Sequence, residues 1–249
     1  MRRTGFVDAV DALGGHDHIS WIFDDPADYH EVADRFLADG RGAGHRVLSF
    51  VHDDRGGPID PAEQVRFLAD ATERALADGY TGLRVAGDAT RMVATPEGRA
   101  AFGRFEFMID SYMARHQLSG LCGFNRAALG DAAVAELAGM HPLAQPAATP
   151  FRLYAAGEPG VAAVLAGEID PAGHEQLRAA LRWVALEPVG GAVTIDARGL
   201  GFIDHRALMQ LVGHVRGRGA ATVLRVGRDS AVPRLAGLLE LRDLRVVVS

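Results

Sequence analysis

The sequence predicts an α/β protein of two domains, with a mostly parallel sheet in residues 1–156 and a second sheet–helix layer pair in residues 157–249. Three observations support this fold class. Short apolar runs alternate with helical patterns, which is typical of parallel sheets covered by helices. A Pro- and Ala-rich segment, residues 139–160, interrupts the alternation. The length of 249 residues suits two domains of ordinary size.

The elements of the first domain follow from its hydrophobic periodicity. Strands are expected at residues 18–23, 45–51, 83–88, 118–124 and 151–156. Helices are expected at residues 25–44, 61–79 and 96–116, each with a proline near its start. The last strand, "FRLYAA", is assigned to this domain because the turn sequence "GEPG" follows it, so the boundary is placed near Gly157.

The second domain repeats the alternation with shorter elements. Strands are expected at residues 161–169, 192–199, 221–226 and 244–249, and helices at residues 172–186, 205–219 and 231–241. The first two helices each carry one apolar stripe, formed by Leu177, Leu181 and Val184 and by Leu208, Leu211, Val212 and Val215. One stripe per helix indicates helices that pack on one face of a sheet.

The composition excludes several functional classes. All 26 basic residues are arginines, which excludes a lysine Schiff base and the lysine of a phosphate-binding loop. The net charge of −6 gives no basic footprint for nucleic acid, and no apolar run approaches the ~20 residues of a membrane helix. The single cysteine fits a reducing compartment. We therefore expect a cytoplasmic protein that binds neither nucleic acid nor membrane.

The turn after the first strand argues against nucleotide hydrolysis. If the sheet is RecA-like, a phosphate loop belongs at this turn, but the turn reads "FDDPADY" and lacks glycines and lysine. Ligands of open α/β sheets sit beyond the carboxyl ends of the strands. Those ends carry Asp24, Asp25, the segment 52–54, Gly87, Asp88, Phe124 and Asn125.

Several motifs in residues 14–156 resemble the MEDS family of sensory domains. They read "GGHDHISWIFDDPADYHEVADRFLADGRGAGHRVLSFV", "GLRVAGDATRMV", "FEFMIDSYMARH" and "LSGLCGFNR". The resemblance implies a RecA/KaiC-like fold without a nucleotide loop that senses a small molecule or signal. It implies no cofactor, and the family leaves the chemical identity of the ligand open.

The second domain resembles STAS domains of the kind found in anti-sigma factor antagonists. The motifs are "LAGEIDPAGHEQLRAAL", "VTIDARGLGFIDHRALMQLVGHVRGRGA" and "LRVGRDSAVPRLAGLLELRDL". In that family a switch kinase, which is itself the anti-sigma factor, phosphorylates a serine after an aspartate at a strand-to-helix turn. Here Asp204 matches the aspartate and His205 replaces the serine, while Thr194 and Ser230 fall in other elements.

The STAS resemblance implies a partner-binding turn uncoupled from serine phosphorylation. Asp204 can cap the helix that follows it. We expect the partner-binding residues to be Gly201, Asp204, His205 and Arg206. The expected partner is an anti-sigma factor or a switch-kinase-type protein, and regulation passes to a small-molecule ligand of the first domain.

Seven residues are candidates for the pocket of that ligand. His18 lies in the MEDS-like "DHI" and Glu106 in the MEDS-like "FEF", although a carboxylate pair such as Glu106 and Asp110 on one helix is usually solvated. The aromatic candidates serve equally as core residues, and arginines near strand ends can pair with acids or clamp an anion. The seven candidates are His18, Trp21, Phe23, Asp24, Arg84, Glu106 and Phe124.

The histidines do not show a metal-binding motif. No HExxH or CxxC occurs, and no histidine pair of the first domain has the i,i+4 spacing of helical ligands. We therefore expect scattered polar histidines and no metal site. Cys122 has no arginine or histidine adjacent in sequence, which favours a buried inert thiol over a redox sensor.

Taken together, the residues and resemblances predict a signalling regulator with no catalytic residues, a sensor fused to an anti-sigma factor antagonist-like domain that acts by protein–protein binding. Two alternatives stay open. One is an enzyme on a degenerate ATPase-like fold that uses His18, Asp24 and Glu106. The other is a ligand-binding scaffold whose second domain only forms a homodimer.

Overall fold

The computed structural model describes residues 2–11, 13–50 and 59–249. The chain divides into two compact units, Met1–Thr149 and Pro150–Ser249. Among the described helices, none is both long enough and apolar enough to span a bilayer.

The first unit is built on a six-stranded sheet in which every strand pairing is parallel, as predicted. The strand order is β1-β6-β2-β5-β4-β3. The strands are β1 (Gly5–Phe6), β2 (His18–Phe23), β3 (Arg46–Phe50), β4 (Leu83–Asp88), β5 (Leu118–Asn125) and β6 (Leu143–Ala144).

The three long helices of this unit begin where the sequence predicts. Each has a proline in its first turn and a capping side chain just before it, from Asp25, Asp60 or Thr95. These side chains accept hydrogen bonds from backbone N–H groups of the first turn, which lack partners inside the helix. The helices are α1 (Pro26–Gly42), α2 (Pro61–Ala77), α3 (Pro96–Met113), α4 (Arg126–Leu129) and α5 (Asp131–Ala138).

Strand alternation divides the core of the first unit between the two faces of the sheet. On one face, Ile22, Val85 and Phe124 pack against α2, α3 and α5; we call it the α2/α3 face. On the other, Ile19 and Leu121 pack against the buried side of α1; we call it the α1 face. Neighbouring residues of one strand therefore belong to different layers, and this parity decides which candidate residues meet.

The second unit contains a mixed sheet of order β10-β8-β9-β11-β12, with β7 paired to β8. Its strands are β7 (Phe151–Ala155), β8 (Ala163–Ile169), β9 (Ala192–Asp196), β10 (Leu200–Ile203), β11 (Ala221–Val226) and β12 (Leu244–Val248). Its helices are α6 (His174–Trp183), α7 (His205–Arg216) and α8 (Val232–Leu238). The predicted apolar stripes of α6 and α7 are buried.

The position of β7 corrects the predicted domain assignment. The sequence places this strand in the first domain, but it pairs antiparallel with β8, from Phe151 opposite Gly167 to Ala155 opposite Ala163. The segment "GEPG" thus connects the two strands of a hairpin and does not join two domains. The physical reason is that the backbone N–H and C=O groups of β7 find their partners on β8, not on the first sheet.

The short strand β10 is a second difference. The sequence predicts a single strand over residues 192–199, followed directly by the turn before α7. In the structure β9 ends at Asp196, and a separate strand, Leu200–Ile203, pairs parallel with β8 after a register shift between Leu200 and Phe202. Four residues are too few for a periodicity signal, so sequence reasoning missed this element.

Candidate functional site

Four chemically reactive side chains meet on the α2/α3 face of the first sheet. Each of them contributes one nitrogen, oxygen or sulfur atom to a group in which all four atoms lie within 4.8 Å of one another. Three of the four residues are fully buried and the cysteine is partly buried. We call this group the His–Glu–Cys–His cluster; its members are His18, Glu106, Cys122 and His141.

The register of two neighbouring strands places His18 and Cys122 together. His18 is the first residue of β2 and pairs with Gly120 of β5, while Ser20 pairs with Cys122. Residues two apart on a strand share a face, so His18 and Cys122 both point towards α3. Gly120 keeps the space open, because a Cβ there would lie 2.9 Å from Met113 Cε and 3.4 Å from His18 Cδ2.

Helix α3 supplies the carboxylate of the cluster. Glu106 and Asp110 lie one turn apart and both are fully buried, whereas Met108 on the same helix is 37% exposed. The usual solvated arrangement of two acids on a helix therefore does not apply here, because Glu106 and Asp110 are both buried. His141 comes from the segment between α5 and β6 and is also fully buried.

The contacts inside the cluster are short. Glu106 Oε2 lies 2.9 Å from His18 Nε2 and 3.2 Å from His141 Nε2. The Cys122 thiol donates a hydrogen bond of 3.4 Å to Glu106 Oε1, and its sulfur lies 3.6 Å from His18 Nε2. The two imidazole rings have centroids 4.3 Å apart. Two of the histidines that the sequence treats as scattered, His18 and His141, are therefore in direct contact.

The outer nitrogen of each histidine has a defined partner. His141 Nδ1 lies 2.9 Å from the Leu137 carbonyl oxygen. A carbonyl can only accept, so this nitrogen carries a proton and donates it. His18 Nδ1 lies 2.9 Å from Asp110 Oδ1, and Asp110 also pairs with the guanidinium of Arg2. Both rings thus direct Nε2 into the cluster.

Burial and the neighbouring charges set the protonation states. Burial, reinforced by the nearby His141, lowers the pKa of His18 to about 4 against the opposing effect of Glu106, so His18 is neutral at pH 7. Burial alone would raise the pKa of Glu106, but His141 and His18 bring it below its ordinary value. Burial, and then the charge of Glu106, raise the pKa of Cys122 well above that of a free thiol. Glu106 is therefore a carboxylate and Cys122 a thiol.

A small cavity of about 60 Å³ adjoins the cluster, between the sheet and helices α2 and α3. Its wall is mainly apolar, with side chains such as Leu68, Val85 and Ile109. Two members of the cluster, His18 and Cys122, form part of the wall. The arrangement exposes an imidazole and a thiol to a mainly apolar space that Gln64 also borders.

Three of the seven predicted pocket residues lie on the α2/α3 face. His18 lines the cavity, and Glu106 lies behind it in the cluster. Phe124 is fully buried and its ring centroid lies 5.9 Å from that of His141, so it supports the cluster from the core.

The other four predicted pocket residues are placed elsewhere. Trp21 and Phe23 belong to the core of the α1 face. Arg84 is buried on that face too, where it donates hydrogen bonds to the carbonyl oxygens of Leu13 and Phe36, at 2.7 and 3.1 Å. Its guanidinium therefore contacts backbone groups of the α1 face and does not line the cavity. Alternate residues of a strand face opposite sides of the sheet, and Trp21, Phe23 and Arg84 occupy the positions that face α1.

Asp24 is exposed and directly follows β2. His18 begins the same strand, so about 20 Å of extended chain separates the two residues. Asp24 therefore does not lie beside His18 and Glu106, the two residues with which the enzyme alternative groups it. The cavity reaches the carboxyl ends of β3 and β4, where Phe50 and the predicted strand-end residue Gly87 line it, and it extends along the face of the sheet to His18. Of the predicted strand ends, residues 52–54 lie outside the described part of the chain.

The predicted partner-binding turn of the second unit is at the surface. Gly201, His205 and Arg206 are exposed, and Asp204 accepts a 2.8 Å hydrogen bond from the Ala207 N–H at the start of α7. Asp204 Oδ2 also lies 2.8 Å from His174 Nε2, a contact that sequence reasoning missed. Burial would raise the pKa of Asp204, but the bonds from Ala207 and His174 hold it below its ordinary value.

Sequence reasoning missed three residues of the first site: Cys122, Asp110 and His141. The available signal was the pair Glu106 and Asp110, two acids one helical turn apart in a segment that carries three phenylalanines. Nothing in the local sequence of His141 links it to β2, because the contact depends on how the segment before β6 packs against that strand.

The comparison with known families supports a sensory role for the first unit. The model of the MEDS family, described as "MEthanogen/methylotroph, DcmR Sensory domain", matches residues 54–142. This range contains Glu106, Cys122 and His141 of the cluster. No family match covers the second unit, and neither a curated protein nor a solved structure matches the chain.

Proposed function

We propose that the chain is a signalling protein whose first unit binds a small, predominantly apolar molecule in the cavity beside the cluster. The single observation that carries this proposal is the cavity, with His18 and Cys122 in its wall, inside a unit that matches a sensory family over residues 54–142. In this proposal the second unit transmits the bound state to a protein partner.

The size and the lining of the cavity define the class of ligand. A single water molecule requires roughly 10–15 Å³ of cavity volume. The cavity of about 60 Å³ therefore accommodates a molecule of a few non-hydrogen atoms. Phe102, Phe105 and Met113 extend the apolar wall formed by the residues named above. Binding in such a site comes mainly from apolar burial, and the imidazole and thiol supply the polar selectivity.

The proposal assigns the second unit to the STAS type, with an anti-sigma factor or switch-kinase-type protein as its partner. The β7–β8 hairpin, the parallel strands that follow, and the start of α7 at the capped Asp204 support this assignment. Phe202 and Met209 flank the turn and are 49% and 42% exposed. An exposed turn with apolar neighbours suits protein–protein contact.

The proposed contact does not depend on serine phosphorylation. The serines and threonines of the second unit are Thr194, Thr222, Ser230 and Ser249, and they lie outside the turn that precedes α7. At the turn, His205 offers an exposed imidazole in place of a hydroxyl. Partner binding is then controlled through the first unit.

Ligand binding can be tested with benzene as a probe of the cavity. Methionines labelled with ¹³C at the methyl group report locally, because Met92 and Met113 line the cavity while Met209 lies in the second unit. We expect benzene to shift the Met92 and Met113 resonances in a saturable manner and to leave Met209 unchanged. Equal shifts at all three methionines, or none, would count against the proposed pocket.

Partner binding can be tested with a purified anti-sigma kinase domain and ATP. The native chain should bind the kinase without incorporating phosphate into the second unit. The His205→Ser variant restores a hydroxyl at the capped turn and should accept phosphate. His214→Ser, on the same helix α7, serves as the matched control. Phosphate on the native second unit, or kinase binding that is insensitive to substitution of Arg206 and His205, would contradict the proposal.

A further inference from the structure

We infer that the His–Glu–Cys–His cluster binds one divalent metal ion of the zinc class. The ligand atoms are Nε2 of His18, Nε2 of His141, a carboxylate oxygen of Glu106 and Sγ of Cys122. The inference concerns a metal site and does not depend on the apolar ligand proposed above.

The distances between the ligand atoms are close to the edges of a metal-centred tetrahedron. Zinc binds nitrogen and oxygen at about 2.0–2.2 Å and sulfur at about 2.3 Å, so neighbouring ligand atoms lie about 3.3–3.6 Å apart. Glu106 Oε2 lies 2.9 Å from His18 Nε2 and 3.2 Å from His141 Nε2, while Cys122 Sγ lies 3.4 Å from the other carboxylate oxygen, Oε1, and 3.6 Å from His18 Nε2. Coordination by one carboxylate oxygen requires the two nitrogens to move slightly apart and the carboxylate to rotate.

The contacts around the cluster orient both imidazole rings towards its centre. The Leu137 carbonyl oxygen lies 2.9 Å from His141 Nδ1, and Asp110 Oδ1 lies 2.9 Å from His18 Nδ1. Nε2 is therefore the nitrogen of each ring that faces Glu106. Two imidazole nitrogens, a carboxylate and a sulfur, all of them atom types that bind metals, thus meet in one buried space.

Two buried atoms of the cluster lack a hydrogen-bond partner. They are Glu106 Oε2 and His141 Nε2, which have none among the residues that the structure describes, although they lie 3.2 Å apart. Buried polar atoms are rarely left unpaired, and here both atoms belong to the same proposed site.

The outer nitrogens of the two histidines contact the kinds of group that usually orient metal-binding histidines. Histidines that bind metals usually donate their other ring N–H to a carboxylate or a backbone carbonyl. His18 does the former through Asp110, and His141 does the latter through Leu137. Asp110 in turn pairs with Arg2, so its own charge is balanced.

Charge balance and donor type select the class of ion. Binding a divalent ion displaces the proton of Cys122 to solvent, and the resulting thiolate and the Glu106 carboxylate together neutralise the two positive charges. A neutral assembly is what a buried site favours. Imidazole and thiolate ligands suit zinc and the neighbouring first-row transition metals such as cobalt, whereas calcium and magnesium require oxygen ligands.

The test uses the full chain without an affinity tag, stripped with a chelator and reconstituted with Zn²⁺ or Co²⁺. We expect one equivalent of metal per chain by elemental analysis. The Co²⁺ form should show the visible absorption of tetrahedral cobalt together with a thiolate-to-cobalt charge-transfer band in the near ultraviolet. These readouts come from the native protein and need no variant.

Variants then assign the ligands. Cys122→Ser should abolish the charge-transfer band, and His141→Gln should weaken Zn²⁺ binding at least tenfold. His116→Gln is the matched control, because His116 is exposed and stacks on Tyr112 outside the cluster. Circular dichroism confirms that each variant is folded before its affinity is compared.

Three results would overturn the inference. They are a folded native chain that takes up no metal, a Co²⁺ complex without the charge-transfer band, and native-like affinity in folded His141→Gln. A metal-free cluster held by a doubly protonated His141 would give the first of these. Benzene binding has a separate readout at Met92 and Met113, so failure of the metal site leaves the proposed ligand cavity testable by itself.

Discussion

His18 Nδ1 lies 2.9 Å from Asp110 Oδ1, and both side chains are completely buried. This contact joins the first residue of β2 to the C-terminal part of helix α3. It orients the imidazole so that its other nitrogen reaches Glu106 and the cavity wall. The properties of the site therefore depend on a residue that does not itself belong to the cluster.

Replacing Asp110 should weaken metal binding without abolishing it. In Asp110→Asn the amide oxygen can still accept from His18, but the negative charge that increases the basicity of the ring is lost. Substitutions of this kind typically cost about 10–100-fold in metal affinity. Competition with a chromophoric chelator measures the change, and Asp34→Asn on the exposed side of α1 is the control. Unchanged Zn²⁺ affinity would show that Asp110 has no such role.

Enlarging the cavity should destabilise the first unit and increase its response to an apolar probe. Ile109 is 1% exposed and lines the cavity, so Ile109→Ala should lower the free energy of unfolding by about 2–5 kcal/mol. Benzene at ten times its Kd should restore about 1.4 kcal/mol. Trp21 fluorescence in a Trp183→Phe background follows the unfolding of this unit.

Leu37→Ala is the matched control for that experiment, because Leu37 is buried on the α1 face. It should also destabilise the first unit, yet benzene should stabilise this variant no more than it stabilises the native chain. If benzene stabilised Leu37→Ala more than Ile109→Ala, it would bind on the α1 face and not in the proposed cavity.

We expect Arg84 to contribute to the stability of the first unit and not to ligand binding. Its guanidinium donates to two carbonyl oxygens and lies 4.7 Å from the centre of the Phe36 ring. Arg84→Leu leaves both carbonyls unpaired and should cost about 3 kcal/mol of unfolding free energy. Because Arg84 faces away from the cavity, the affinity for benzene should not change. Arg46→Leu, which removes an exposed ion pair with Asp78, should cost less than about 1 kcal/mol.

The cap of α7 should give the second unit a pH-dependent stability. Asp204→Ala should cost about 1 kcal/mol through loss of the bond to the Ala207 N–H, whereas Asp204→Asn keeps a capping oxygen and should cost less. The pKa of Asp204 is lowered in the folded state. Its stabilising charge is therefore fully present above the unfolded pKa of about 3.9 and is lost as the pH falls through the lower folded pKa.

Denaturation followed by Trp183 fluorescence in a Trp21→Phe background measures this effect. The difference in unfolding free energy between the native chain and Asp204→Asn should shrink as the pH falls below about 4. His174 is the titratable neighbour of Asp204, so repeating the series in His174→Gln isolates the carboxyl group. A difference that grows as the pH falls would contradict the assignment.

Local sequence signals account for most of the elements. The prolines and capping residues at the starts of α1, α2 and α3 act within one turn of the backbone, so the sequence predicts those starts correctly. The strand 18–23 is predicted to the residue, because its apolar run is bounded on both sides by polar residues. The apolar stripes of α6 and α7 likewise identify their buried sides.

The sequence alone thus determined where most strands and helices form and the parallel character of the first sheet, and it selected His18 and Glu106 as pocket candidates. Only the tertiary structure decided that β7 joins the second sheet, that Arg84 and Phe23 face away from the cavity, and that Cys122 and His141 meet His18. The physical reason is that propensity, capping and periodicity act over a few neighbouring residues. Strand register and helix packing bring together side chains from residues 18, 106, 122 and 141, and no local pattern encodes those distances.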